Sequence, residues 1–169
     1  MNGLLNASAG AISRWLETKL PALGVTWWTD NVINRLTFQQ QRLVEEKRIQ
    51  SLAGLDLAAL LRVLDQNWNE LAGAEPLPRE ARNWLKELQS VRNRWAHAPS
   101  GGLSPMDKFR DADTLGRVLK VVDADDDLLV RVEKFKTDTL GMITPSAPTP
   151  HIAEQPPENG DMLSTPVTA

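Results

Sequence analysis

Apolar residues recur every three or four positions along most of the chain, which is the spacing of one buried face of an α-helix. The clearest example is the segment 78–97, in which six apolar side chains share one face: Ala81, Trp84, Leu85, Leu88, Val91 and Trp95. Pro78 suits a first helical turn because it lacks the N–H that would be unpaired there. Pro99 disfavours helical geometry at Ala98, so we expect this helix to end near His97.

The same spacing predicts further helices over residues 8–23, 30–52 (restarting at Thr37), 57–71, 104–122 and 128–140. Their expected caps are Ser8, Asp30, Asp56, Ser104 and the acidic run 123–127, with a capping box at Thr37 and Gln40. The segment 57–71 is apolar over a broad face, which favours a central place in a bundle. No strand pattern stands out, so we expect an all-α bundle of about five to six helices.

The composition changes at Gly141, after which six prolines are interspersed with serine, threonine and glutamate. Segments of this kind bury too little apolar surface to offset the entropy of the chain. We therefore predict a helical domain over residues 1–140 and a disordered tail or linker over residues 141–169. His151 lies in that tail, and we assign it no role.

The composition also limits the possible chemistry, because the 169 residues include no cysteine and only two histidines. Disulfides and thiolate sites are excluded, and a histidine-rich metal site is disfavoured, so we expect no metal and no cofactor. The net charge of −3 provides no global basic field, so any nucleic-acid binding needs a local patch. No apolar run has membrane-spanning length and no secretory signal pattern is present, so we expect a cytoplasmic protein.

Three polar residues near the end of the segment 78–97 are candidates for chemistry. At about 100° per residue, Arg92 lies roughly 40° from Leu88, on the apolar side, where an arginine needs an anion. Asn93 and His97 lie one turn apart on another side, and the helix dipole there favours imidazolium, which suits an acid/base group. Arg92 and His97 are about 140° apart, so they would converge better across two facing copies than within one helix.

Plainer interpretations of these residues remain open. Arg92 could pair with an acid from another helix, and His97 could be an ordinary cation at a helix C-terminus. On the arginine–histidine pair alone, this structural interpretation is the favoured one. The adjacent Trp27 and Trp28 favour packing, with one ring in the core and the other over an edge, ahead of a base-stacking platform.

The run Val91-Arg92-Asn93-Arg94-Trp95-Ala96-His97 resembles the signature of the HEPN superfamily: arginine, a polar residue, a few residues, then histidine late in a bundle helix. Further blocks upstream are similar to its Swt1-like branch: Trp27-Trp28, residues 54–65, Asn67-Trp68 and residues 78–84. The resemblance covers residues 4–140. It implies a HEPN-type helical bundle that dimerises and places two copies of the signature in one cleft.

The resemblance also implies an activity, because catalytic members are metal-independent endoribonucleases that use the 2′-hydroxyl of the RNA as nucleophile. Carried onto this chain, His97 would be the acid/base group, Arg92 would bind the scissile phosphate, and Asn93 would orient His97 or the phosphate. Arg94 and Lys86 are expected to contact the RNA substrate. A non-catalytic HEPN module that binds RNA or protein is the alternative, and a purely structural bundle is a third.

The expected partners are RNA, a second copy of the chain, and a larger ATPase- or helicase-type defence protein or an antitoxin. The resemblance places these in bacterial phage defence or in a toxin–antitoxin stress response. Some HEPN toxins have a modifiable tyrosine two residues after the histidine. That position is Pro99 here and the chain has no tyrosine, so this mode of control is excluded.

Overall fold

The computed structural model describes residues 1–74, 76–98 and 102–143. These ranges contain seven α-helices: α1 (Asn2–Lys19), α2 (Phe38–Glu46), α3 (Leu57–Gln66), α4 (Trp68–Ala74), α5 (Ala81–Ala96), α6 (Pro105–Val121) and α7 (Asp126–Ile143). They contain no strand, so the predicted all-α class is confirmed. Residues 144–169, which include most of the predicted tail and His151, lie outside the described residues.

Three helix starts with side-chain caps are where the sequence predicts them, at Thr37, Asp56 and Ser104. The hydroxyl of Thr37 accepts the Gln40 N–H at 3.3 Å, and the Gln40 side chain accepts the Thr37 N–H at 3.0 Å, which is a capping box. The carboxylate of Asp56 accepts the Ala59 N–H at 2.8 Å, and the hydroxyl of Ser104 accepts an N–H at the start of α6.

The predicted cap at Ser8 is wrong, because α1 begins six residues earlier, at Asn2. Ser8 is fully buried, and its hydroxyl donates to the Leu4 carbonyl at 2.6 Å, so it lies inside the helix. Buried Leu4 and Leu5 extend the apolar face of α1 towards the N-terminus. The helix ends at Lys19, just before Pro21, as expected from the missing N–H of proline.

The helix predicted to start at Asp30 is also wrong. The chain forms a π-helical turn over Trp28–Val32 and a 3-10 helix over Ile33–Arg35, and Asp30 lies inside the first of these. The rings of Trp27 and Trp28 meet edge to face with centroids 5.8 Å apart, and both are half-buried against the core. The predicted helix 30–52 is therefore reduced to α2, which ends at Glu46.

The predicted helix 57–71 is two helices, α3 and α4, because the chain departs from helical geometry at Asn67. The Asn67 side chain is fully buried. Its amide donates to the carbonyls of Asn31 and Val63, each at 2.7 Å, and its oxygen accepts from the Asn31 amide at 2.8 Å. The Asn67 side chain thus links the π-helical turn to α3 through hydrogen bonds.

Replacing Asn67 with alanine is expected to lower the free energy of unfolding by about 2–3 kcal/mol, because it leaves buried polar partners without hydrogen bonds. Urea denaturation followed by circular dichroism measures this change. Asn69→Ala, at an exposed position in α4, is the matched control and should lie within about 0.5 kcal/mol of wild type. Equal stability of the two variants would contradict the structural role of Asn67.

The arrangement of the helices positions α5 for function. Buried side chains of α3, including Leu60, Leu61 and Val63, make this helix central to the core. One side of α5 packs against α3 and another against α6, and α6 in turn packs along α7. The buried face of α5 consists of Ala81, Leu85, Leu88 and Val91. Helix α5 is thus held on two sides.

Candidate active site at the end of α5

The three residues predicted to carry chemistry lie at the C-terminal end of α5. Arg92 and Asn93 occupy its last turn, and His97 is the residue that ends it, with its N–H bonded to the Asn93 carbonyl at 3.2 Å. The predicted end of this helix near His97 is confirmed. Trp84 and Trp95, predicted on the buried stripe, are only half-buried, so the apolar face is narrower than its spacing suggests.

Arg92 has an anionic partner within the chain. One guanidinium nitrogen lies 3.4 Å from the Asp56 carboxylate, and another donates to the Asn93 side-chain oxygen at 3.2 Å. The Arg92 side chain is 32% exposed and that of Asp56 is 58% exposed. Ion pairs with this much exposure are weak, typically about 0–1 kcal/mol, so Asp56 holds Arg92 only loosely.

Asp56 contributes to this site through two contacts, and the sequence predicts only one of them. Its cap on α3 is predictable from the local pattern, but its contact with Arg92 joins residues 36 positions apart. One oxygen of the carboxylate bonds the Ala59 N–H and the other faces Arg92. The start of α3 and the end of α5 therefore meet at this carboxylate.

His97 stands apart from the other two residues. It is exposed, and its imidazole makes no hydrogen bond or ion pair within the described ranges. Arg92 and Asn93 are hydrogen-bonded to each other, but neither side chain is hydrogen-bonded to the imidazole. This arrangement agrees with the wide angular separation of Arg92 and His97 around α5. In a single chain, therefore, Arg92, Asn93 and His97 lie at the same helix end, but the imidazole is not joined to the other two side chains.

Arg94, predicted to bind substrate, is held by a buried aspartate of α6. Its guanidinium makes two bonds to the Asp111 carboxylate, at 2.6 and 3.3 Å, and the Trp95 indole N–H donates to the same carboxylate at 2.7 Å. The Asp111 side chain is only 2% exposed. This anchor between α5 and α6 could have been suspected, because Asp111 lies on the apolar stripe of α6 with Leu115 and Val118.

Lys86, the other residue predicted to bind substrate, is exposed and makes no ion pair in the described part of the chain. It lies on α5 more than one turn before Arg92. Its ammonium group is thus available to an anionic ligand, but the structure does not connect it with the three residues at the helix end.

Two hollows flank Arg92. One, of about 250 Å³, lies between α2, α3 and α5 and is bordered by Arg92 and Asn93. The other, of about 400 Å³, lies between α1, the start of α3 and the end of α5, and is bordered by Arg92 and Asp56. His97 borders neither of them. A larger hollow of about 570 Å³ lies near the opposite end of α5, beside Trp84, away from these residues.

The described residues contain neither a cluster of metal ligands nor a membrane-spanning helix. Across residues 1–74, 76–98 and 102–143, no group of three or more histidine, aspartate or glutamate side chains is placed to hold a metal ion. None of the helices in these ranges combines the length and apolar character needed to cross a bilayer.

Comparison with known proteins identifies the family. The Swt1-like HEPN family profile matches residues 4–123, which extend from α1 to the turn after α6 and include Arg92, Asn93 and His97. Helix α7 lies beyond the matched range. No curated protein and no solved structure matches the chain. Because the match covers well over half of the sequence, this chain belongs to the Swt1-like HEPN family.

Proposed function

We propose that this chain is a metal-independent endoribonuclease whose active site is completed by a second copy. The observation that carries the proposal is the exposed end of α5. There Arg92 and Asn93 are hydrogen-bonded to each other, and His97 follows one turn later in a helix that matches the HEPN family. All three polar groups are at least partly accessible to a ligand.

The proposed reaction is attack by a ribose 2′-hydroxyl on the adjacent phosphate. His97 takes the proton of the 2′-hydroxyl, a bond forms between O2′ and phosphorus, and the bond between phosphorus and O5′ breaks. The leaving 5′-oxygen takes a proton from solvent water, and the imidazolium of His97 returns its proton to solvent. The Arg92 that binds this phosphate belongs to the second copy. The products are a 2′,3′-cyclic phosphate and a 5′-hydroxyl.

Arg92 stabilises the extra negative charge on the phosphate in this scheme. A guanidinium offers several N–H donors in a planar fork, which suits phosphate oxygens. The Asn93 amide already contacts Arg92 and limits the directions in which the guanidinium can point. Asp56 holds Arg92 in the free chain, and the scissile phosphate replaces it on binding.

The contact between Arg92 and Asp56 also supports a second candidate, a non-catalytic module that binds RNA or protein. In that case Asp56 satisfies Arg92 permanently, and the ion pair serves to join α3 to α5. Cleavage of RNA by purified chain in the presence of EDTA, with cyclic-phosphate ends, decides for the enzyme. Binding of RNA without cleavage decides for the module.

Mixing two inactive variants tests whether the active site is shared between copies. Arg92→Ala and His97→Ala proteins, each inactive alone, are expected to regain activity when they are mixed and allowed to exchange subunits. Random pairing makes half of the dimers mixed. Each mixed dimer has one intact site, which pairs Arg92 of one copy with His97 of the other, so we expect about a quarter of wild-type activity. A mixture as inactive as its components would show that each site uses residues of one copy.

A further inference from the structure

We propose that the 250 Å³ hollow beside Arg92 and Asn93 binds the nucleobase next to the scissile phosphate and reads its edge with glutamine amides. This inference rests on the proposed ribonuclease function and adds where a base of the substrate would lie. Pockets for drug-sized ligands span about 300–1000 Å³, so a smaller hollow suits a single base.

Three glutamines from three helices line this hollow. Gln40 comes from α2, Gln66 from the end of α3, and Gln89 from α5, one turn before Asn93. Ala58 contributes an apolar wall. The arrangement places neutral amide groups beside the guanidinium of Arg92, so one nucleotide could put its phosphate on Arg92 and its base among the amides.

The glutamines keep unused hydrogen-bonding groups. The Gln66 amide makes no hydrogen bond within the described ranges, so both its donor and its acceptor are available. Gln40 uses its oxygen in the capping box and keeps its NH₂ group. Gln89 donates to the Leu61 carbonyl at 3.4 Å and keeps its oxygen. A carboxamide that offers a donor beside an acceptor can pair with a base edge in two places.

The charges around the hollow also suit one nucleotide. Asp65 borders the hollow, but its carboxylate is paired with Arg82 at 3.3 Å and is largely buried. Arg62 borders it too, with its Nε donating to the Arg35 carbonyl at 2.7 Å. With Asp65 paired to Arg82 and Arg92 paired to Asp56, Arg62 is the charged group of the hollow without an ion-pair partner in the described residues, and its positive charge favours RNA. Unstacked bases of single-stranded RNA are the ones whose edges proteins read directly.

The test measures kcat/KM for four oligoribonucleotides that differ only in the base on one side of the cut, and then repeats the set for the other side. Wild type is expected to prefer one base on one side by tenfold or more. Gln66→Leu, at an exposed position that should not affect folding, is expected to lower this preference by about tenfold. Gln39→Leu is the matched control, because Gln39 is exposed on α2 and does not border the hollow.

The outcomes separate this inference from the ribonuclease proposal. Equal cleavage of all four bases on both sides, or a preference that survives in both Gln66→Leu and Gln89→Leu, would overturn the base site and leave the ribonuclease standing. If wild type cleaves nothing, binding of the same oligonucleotides is measured by fluorescence anisotropy. A base preference in binding that Gln66→Leu removes would then support the site without the enzyme, and no preference would overturn it.

Discussion

Replacing His97 with alanine is expected to reduce RNA cleavage by about 10²–10⁴-fold, because a positioned acid/base group contributes roughly this factor in rate and the proposed site depends on His97 for it. The fold should not change. The imidazole is exposed and makes no hydrogen bond or ion pair within the described residues, and the bond that ends α5 uses the His97 backbone N–H rather than its side chain.

The measurement is kcat/KM on a defined RNA in the presence of EDTA, with analysis of the product ends and a thermal melt of each variant. His151→Ala is the matched control, since it removes the only other histidine of the chain and should cleave like wild type. Cleavage by His97→Ala at the wild-type rate would exclude His97 as the acid/base group. Loss of activity together with a lower melting temperature would favour a structural role for His97.

The parts of the fold that could be predicted from the sequence depend on residues close together in the chain. The side chains of Thr37, Asp56 and Ser104 each accept an N–H from the residue three positions later. The sequence alone therefore locates these helix starts. The apolar stripe of α5 is similarly local. The caps determine where these helices begin. The spacing of apolar residues is local too, and it is what predicts the all-α class.

The features that were missed depend on residues far apart in the chain. Asn67 breaks a helix because its amide bonds Asn31, 36 positions away, and no local pattern shows that partner. Ser8 has a common cap residue type but lies in the interior of α1, where its hydroxyl bonds a carbonyl of the preceding turn. Type and local spacing therefore predicted a cap where tertiary packing continues the helix.

The candidate site also combines features that the local sequence predicts with contacts that it does not predict. The sequence places Arg92, Asn93 and His97 at one helix end, because helix limits and residue types are local information. It does not show that Asp56 lies against Arg92, or that Arg94 turns away towards Asp111, because both contacts join different helices. Neither the sequence nor the described residues show a hydrogen bond between His97 and Arg92, which is why the proposed function includes a second copy.

Replacing Arg94 with alanine is expected to lower the free energy of unfolding by about 3 kcal/mol, which is large for a cation whose side chain is 44% exposed. The reason lies in its partner. Asp111 is almost fully buried, and without Arg94 its carboxylate keeps only the Trp95 indole N–H as a donor. The variant removes two of the three hydrogen bonds that this buried carboxylate accepts, and the loss strongly destabilises the folded state.

Urea denaturation measures this effect, and Arg42→Ala is the matched control. Arg42 also pairs with an acid, Glu46 at 2.8 Å, but its side chain is 71% exposed, so its loss should cost no more than about 0.5 kcal/mol. If Arg94 instead binds RNA, Arg94→Ala would keep its stability and lose RNA affinity. The double variant Arg94→Ala/Asp111→Ala separates the two cases further.

If the ion pair is the source of the stability, the double variant should be more stable than the sum of the two single losses predicts, by about 1–3 kcal/mol. Additive losses would mean that the two side chains act independently. A coupled pair would also explain why α5 needs a buried acid on α6. Arg94 and Trp95 lie between Asn93 and His97, so fastening them to Asp111 fixes the turn from which the proposed catalytic groups project.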